Sequence, residues 1–112
     1  MESTRQKKVS RLLQKELGSI FQRKTNEFGG KMITVTIVRM SPDLSIARVY
    51  LSIFPKKKED ANTLEMIKSH NSHIRHELGN IVKNQLRIIP ELHYFEDDSL
   101  DYIENIEGLL NP

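Results

Sequence analysis

The 112-residue chain predicts an α+β domain in which helices cover one face of a small sheet. Three observations carry that reading. Apolar residues recur at helical spacing through the first two dozen positions, the next segment alternates apolar and polar residues on both sides of a turn, and a second helical stretch leads into one further apolar run. With 38% hydrophobic and 29% charged residues, the composition is that of an ordinary globular domain. A chain of this length forms one core and is too short for a second.

The elements follow in order. Val9, Leu12, Leu13, Leu17, Ile20 and Phe21 share one helical face, so residues 4–24 read as an amphipathic helix capped by Ser3 or Thr4. At about 100° per residue, Lys8, Arg11, Lys15 and Gln22 fall together on the flank away from the apolar stripe, with Lys7 beside them. Gly29-Gly30 ends the connection. Ile33, Val35 and Ile37 alternate with Thr34 and Thr36, predicting a strand over 32–40 with those three apolar residues inward. Ser41-Pro42-Asp43-Leu44-Ser45 has turn chemistry, and Ala47, Val49, Leu51 and Ile53 then alternate with Ile46, Arg48, Tyr50 and Ser52. The two strands form a hairpin whose Thr34, Thr36, Arg48, Tyr50, Ser52 side is left open.

Pro55 ends the second strand, and Lys56-Lys57-Lys58-Glu59-Asp60 is a hydrated connection. From Ala61 to Gln85, Leu64, Ile67, Ile74, Leu78, Ile81 and Val82 fit helical spacing, but Ser69-His70-Asn71-Ser72-His73 interrupts them with poor helix formers. Two helices joined by a kink result. Leu86 to Phe95 reads as a third strand, in which Pro90 requires an edge position or a bulge because it has no N–H to donate. Asp97-Asp98-Ser99 turns the chain, and Tyr102, Ile103, Ile106 and Leu109 form a last helical pattern that Ser99 can cap. Residues 1–112 are thus one domain, with 98–112 a short C-terminal tail.

The net charge of +2 conceals a sorting along the chain. Residues 1–58 carry 13 Lys and Arg against 4 Asp and Glu, whereas residues 59–112 carry 4 against 11. A basic half on a near-neutral domain points to one face that meets a polyanion, the phosphate backbone being the commonest. The absence of Cys excludes disulfides, thiol catalysis and cysteine zinc sites. No apolar run approaches the roughly 18 residues of a spanning helix, and the mixed-charge N-terminus is unlike a signal peptide, so a soluble cytoplasmic protein is expected.

Five segments then carry a family resemblance: Arg5 to Leu17, Val38 to Ser52 with its Ser-Pro-Asp-Leu turn, Ile74-Arg75 with Leu78-Gly79, Leu86 to Phe95 with its Arg-Ile-Ile-Pro-Glu-Leu run, and Asp97-Asp98-Ser-Leu. In this order they resemble the ribosome-binding factor A family of bacterial maturation factors of the small ribosomal subunit. Helix, strand, strand, helix, kink, helix, strand is also the arrangement of type II KH domains. The resemblance implies a KH-like fold with a three-stranded sheet, no catalytic activity, and binding to rRNA in the immature small subunit. It further implies a part in late rRNA processing near the 5′ end and in growth in the cold.

Ordinary KH domains grip single strands with a Gly-x-x-Gly loop, and no such tetrapeptide occurs here. The family has an Ala-x-Gly kink in its place. Alignment through Ile74-Arg75 sets His70-Asn71-Ser72 at that kink, with neither the Ala nor the Gly. Asn and Ser side chains can close such a turn by bonding nearby backbone N–H groups, so Ser72, or Asn71 with the register shifted by one, is expected to cap a helix beginning near His73. Lys83-Asn84-Gln85 is a longer connection than the family's.

Lys8, Arg11 and Lys15 are the first candidates for phosphate contacts, on helical geometry, with Lys7 beside them. Arg39, Arg48, Lys56, Lys57, Lys58, Arg75, Lys83 and Arg87 follow on charge. Tyr50 on the open face can stack a base, although a lone surface Tyr has many other uses. His70, His73 and His76 at i, i+3, i+6 diverge around the helix and lack a further ligand, so no metal or cofactor is expected. Glu96, Asp97, Asp98 and Asp101 read as a solvated turn and helix start. No nucleophile, base and oxyanion donor occur at a recognisable spacing, which excludes an enzyme. The expected partner is the small ribosomal subunit and its rRNA, bound by a monomer, with no membrane and no small-molecule substrate. The alternative is an adaptor that uses the same basic face on an acidic protein.

Overall fold

The computed structural model describes residues 2–54 and 60–97. Helix α1 spans Thr4–Arg23 and a short 3-10 turn covers Thr25–Phe28; strands β1 (Met32–Met40) and β2 (Ile46–Phe54) are followed by α2 (Asp60–Ser69), α3 (Asn71–Val82) and β3 (Glu91–Glu96). The expected tail helix and the Lys56-Lys57-Lys58 run lie outside the described residues.

Why α1 starts where it does is local. Ser3 Oγ accepts from the Gln6 N–H at 3.1 Å while Gln6 Oε1 accepts from the Ser3 N–H at 2.6 Å, a reciprocal capping box. Of the two cap candidates, Ser3 is the one used. Leu13, Leu17, Ile20 and Phe21 of α1 are fully buried against Ala47, Val49 and Leu51 of β2 and Ile67, Ile74, Leu78 and Val82 of α2 and α3. Gly29 and Gly30 lead into β1 at φ of 71° and 75°, where a side chain is disfavoured.

The sheet order is β1-β2-β3. β1 and β2 are antiparallel, whereas β3 runs parallel to β2, because α2 and α3 form the crossover that returns the chain to the same end. Two expectations fail here. Ile37, predicted inward, is 40% exposed. The register shifts between Val35 and Ile37, so Thr36 is an extra residue in β1, Ile37 pairs with Tyr50 on the open face, and Val38 and Met40 take the inward places. The bulge is held from outside the strand. Gln14 Nε2 donates to the carbonyls of Val35 (3.3 Å) and Thr36 (3.1 Å), and Thr36 Oγ1 donates to Asp97 Oδ2 at 2.5 Å.

The third strand is also shorter than predicted. It begins at Glu91, and Pro90 is buried just before it, so the ladder never needs the N–H that Pro lacks. Residues 86–90 pack on α3 instead. Arg75 Nη2 and Nε donate to the carbonyls of Ile89 (2.9 Å) and Pro90 (3.1 Å), and Ile89 lies where a Cβ on Gly79 would meet its Cγ1 at 3.4 Å. Gly79 therefore permits close packing of this segment.

Candidate nucleic-acid interface

The setting of α1 about its own axis decides which side chains it offers to solvent. Two bonds fix it: Gln6 Nε2 donates to the Met40 carbonyl at 3.0 Å, and Gln14 reaches the bulge carbonyls two turns later. With Gln6 buried and Gln14 turned to the bulge, Lys7, Lys8, Arg11 and Lys15 are all exposed on the outer flank. None forms an ion pair among the described residues. Such a strip is held by the helix and not neutralised by the described residues.

At the N-terminal end of α1, a cavity of about 510 Å³ opens between the helix, the β1–β2 turn and residues 85–90. Its rim carries Arg5, Lys8 and Arg87, and its apolar lining includes Val9, Leu44, Leu86 and Ile88. Asp43 is the one carboxylate there, and Oδ1 is already occupied: it accepts from Ser45 Oγ (2.7 Å), Ser41 Oγ (2.8 Å) and the Ser45 N–H (3.1 Å). Those bonds hold its carboxyl below the usual range. The structure thus brings Arg87 to the α1 strip and adds Arg5, which the sequence reading passed over although it sits one helical turn before Lys8.

The remaining candidates are dispersed. Arg39 and Arg48 are exposed on the face of the sheet opposite α1. Arg75 spends its guanidinium on the two carbonyls of the 86–90 segment, and Lys83 is exposed at the end of α3. Among the described residues no three metal-ligating side chains come together.

The kink lies where it was predicted, but its closure differs. α3 starts at Asn71, so Ser72 is an exposed residue of the first turn and caps nothing. The cap position belongs to His70, whose N–H bonds the carbonyls of Met66 and Ile67 at the end of α2 and whose own carbonyl accepts from the Ile74 N–H. One residue therefore serves both helices, leaving no extended position for a Ser cap. His70 Nδ1 lies 2.7 Å from the Met66 carbonyl and acts as donor there, since a carbonyl only accepts. Its ring stands edge-on to Phe28, centroids 5.4 Å apart. Asn71 Oδ1 accepts from the hydroxyl of buried Tyr94 at 3.1 Å, and burial pushes that phenol's pKa up.

Lys24, at the end of α1, carries a second charge feature that sequence reasoning did not single out. Its side chain is only 8% exposed, with Nζ 2.7 Å from Glu77 Oε1 on α3 and 3.6 Å from Glu27 Oε2. The hydrogen bond to Glu77 raises the Lys24 pKa and lowers that of Glu77. This pair ties α1 to α3 and thereby orients the basic flank.

The family profile of ribosome-binding factor A matches residues 5–110. The chain belongs to the ribosome-binding factor A family. It is 44% identical over 112 residues to the ribosome-binding factor A of Cytophaga hutchinsonii, covering 99% of this chain and 84% of that one. With that of Flavobacterium johnsoniae the identity is 47%, covering 98% and 85%. Among solved structures, the crystal structure of ribosome-binding factor A from Thermus thermophilus superposes with a TM-score of 0.68 at 22% identity, covering 81% of this chain and 94% of that one. A homology model of the Thermus thermophilus factor, fitted into a cryo-EM map of its complex with the 30S subunit, gives a TM-score of 0.63 at 22% identity, covering 78% and 89%. The α+β fold read from the sequence is the fold of these structures.

Proposed function

We propose that this chain is a non-catalytic assembly factor that binds rRNA in the immature small ribosomal subunit and assists its late maturation. The observation that carries this reading is the α1 strip: four exposed cations without carboxylate partners among the described residues, continuous with Arg5 and Arg87 at the end cavity. Cations so placed meet phosphates without first giving up an internal ion pair. The Thermus relative fitted into a 30S complex supports the choice of partner. In this reading the protein acts in the cytoplasm as a monomer without cofactor, Lys7, Lys8, Arg11 and Lys15 are the primary phosphate contacts, and Arg5 and Arg87 extend them. Processing near the 5′ end of the rRNA and a role in the cold belong to the same reading.

The test is co-sedimentation of the purified chain with immature and mature small subunits, followed by titration of rRNA fragments over a range of salt. Preferential sedimentation with immature subunits and affinity that falls steeply with salt are expected. Sedimentation with subunits by a chain that has no affinity for rRNA fragments at any salt concentration would replace this reading with that of an adaptor for an acidic protein.

A further inference from the structure

The face of the sheet that no helix among the described residues covers is not an ordinary polar surface. Met32 and Phe54, which pair at one end of the β1–β2 ladder, are each 58% exposed, and the Thr36 bulge adds Ile37 to the same side. Register then sets two rows across all three strands. Ile37, Tyr50 and Phe95 form one, and Arg39, Arg48 and His93 form the next, two residues or roughly 7 Å along the strands. The Tyr50 and Phe95 rings stack, with centroids 5.4 Å apart and planes at 28°. Phe95 remains 42% exposed.

The arginine row is the decisive feature. Arg39 lies directly opposite Arg48, an arrangement of like charges that costs stability in a strand pair. No carboxylate among the described residues relieves it. Glu2 lines a hollow with both arginines without forming an ion pair to either, Glu91 is turned to His93 at 3.3 Å, and Asp97 accepts from Thr36. A protein partner would have to bury two adjacent guanidinium groups against matched carboxylates. A single nucleic-acid strand needs only what is present, since it offers phosphates to arginines and flat bases to aromatic rings.

We propose that this open face binds a single-stranded stretch of RNA, with Tyr50 and Phe95 as the stacking platform and Arg39 and Arg48 holding the phosphates. The proposal rests on the RNA-binding reading above and adds a second surface, on the side of the sheet away from the core on which α1 packs. It takes up Tyr50 from the sequence and supplies the neighbour, Phe95, that a lone surface tyrosine lacks.

The experiment is fluorescence anisotropy of a labelled oligouridine with the full chain, beside titration of a double-stranded rRNA hairpin. Phe95→Thr and Arg48→Gln should each weaken oligouridine binding by about tenfold and leave hairpin binding unchanged. Charge reversal of Lys8, Arg11 and Lys15 should act mainly on the hairpin. Arg39→Gln separates binding from folding: by removing a like charge it should keep or raise the melting temperature while lowering oligouridine affinity. If the wild type sediments with immature subunits but does not bind oligouridine, or if the variants bind it as the wild type does, the open face is not an RNA surface and the α1 reading stands. If Phe95→Thr loses subunits without altering oligouridine binding, the face docks a protein. If the wild type binds neither subunits nor RNA, the RNA-binding reading itself fails.

Discussion

The Lys24–Glu77 pair offers a quantitative test of how α1 is held, because its two partners differ in burial. The ammonium side chain is 8% exposed and the carboxylate side chain 32%. Glu77→Gln therefore leaves a buried cation with only Glu27, 51% exposed and 3.6 Å away, to compensate it. Removing one partner of a fully buried pair costs about 3–5 kcal/mol, and an exposed pair contributes roughly 0–1 kcal/mol. With the cation buried, the anion one-third exposed and a second carboxylate in place, about 1–2 kcal/mol is expected for Glu77→Gln. In a domain of this size that lowers the melting temperature by about 5–10 °C. Lys24→Met keeps the aliphatic stem and leaves a partly solvated carboxylate that Arg23 still faces at 3.9 Å, so it should cost less, and the double variant should resemble Lys24→Met.

The pH dependence of this pair has a definite sign. The folded-state pKa of Glu77 is lowered, so its contribution is present above the ordinary Glu value of about 4.3 and is lost as pH falls through the lower folded value. That of Lys24 is raised, so its contribution is complete below about 10.4 and is lost as pH rises through the higher folded value. Urea unfolding followed by circular dichroism should show a Glu77→Gln deficit that is constant from about pH 6 to 9 and shrinks below about pH 4. An unchanged midpoint at pH 7, or a greater loss in Lys24→Met than in Glu77→Gln, would refute the assignment.

Further outcomes follow from the kink and the bulge. Ser72→Ala should be neutral within about 0.5 kcal/mol, because Ser72 caps nothing, whereas His70→Ala should cost about 1–2 kcal/mol through loss of the Met66 bond and the Phe28 contact; equal effects in chemical denaturation would restore Ser72 as the cap. Tyr94→Phe, which leaves Asn71 without its donor, should cost roughly 1 kcal/mol and speed amide exchange at the start of α3. Gln14→Ala should cost about 1 kcal/mol and deprotect the β1 amides around Thr36; an exchange pattern identical to wild type would mean that the bulge is set by the strands alone.

How much of this was legible depends on whether a feature is local. α1 was readable to within a residue, as were the hairpin and the position of the kink, because apolar periodicity and turn chemistry are written in neighbouring residues. The inward placement of Ile37 failed because the Thr36 bulge is secured by Gln14 and Asp97, 22 and 61 residues away along the chain. Leu86 to Ile89 look like strand residues, yet the carbonyl bonds from Arg75 and the gap over Gly79 draw them onto α3. In the candidate site, the α1 strip was visible because helical spacing alone gathers it. Arg87 joins Lys8 only through the cavity that tertiary packing makes, and Phe95 meets Tyr50 only because β3 runs parallel to β2. Lys24 reads as one more cation after an amphipathic helix, and nothing local marks it as buried.

The central claim is that the α1 flank carries the contact with rRNA in immature subunits. It is tested most directly by co-sedimentation of the Lys8→Glu, Arg11→Glu, Lys15→Glu triple variant with immature small subunits across a salt series. All three side chains are exposed and without ion pairs among the described residues, so the melting temperature should stay within a few degrees of wild type. Association should collapse, and whatever binding remains should depend less on salt, with the slope of log affinity against log salt reduced by about 2–3 for three lost phosphate contacts. A folded triple variant that sediments with immature subunits as the wild type does, with the same salt slope, would contradict the account.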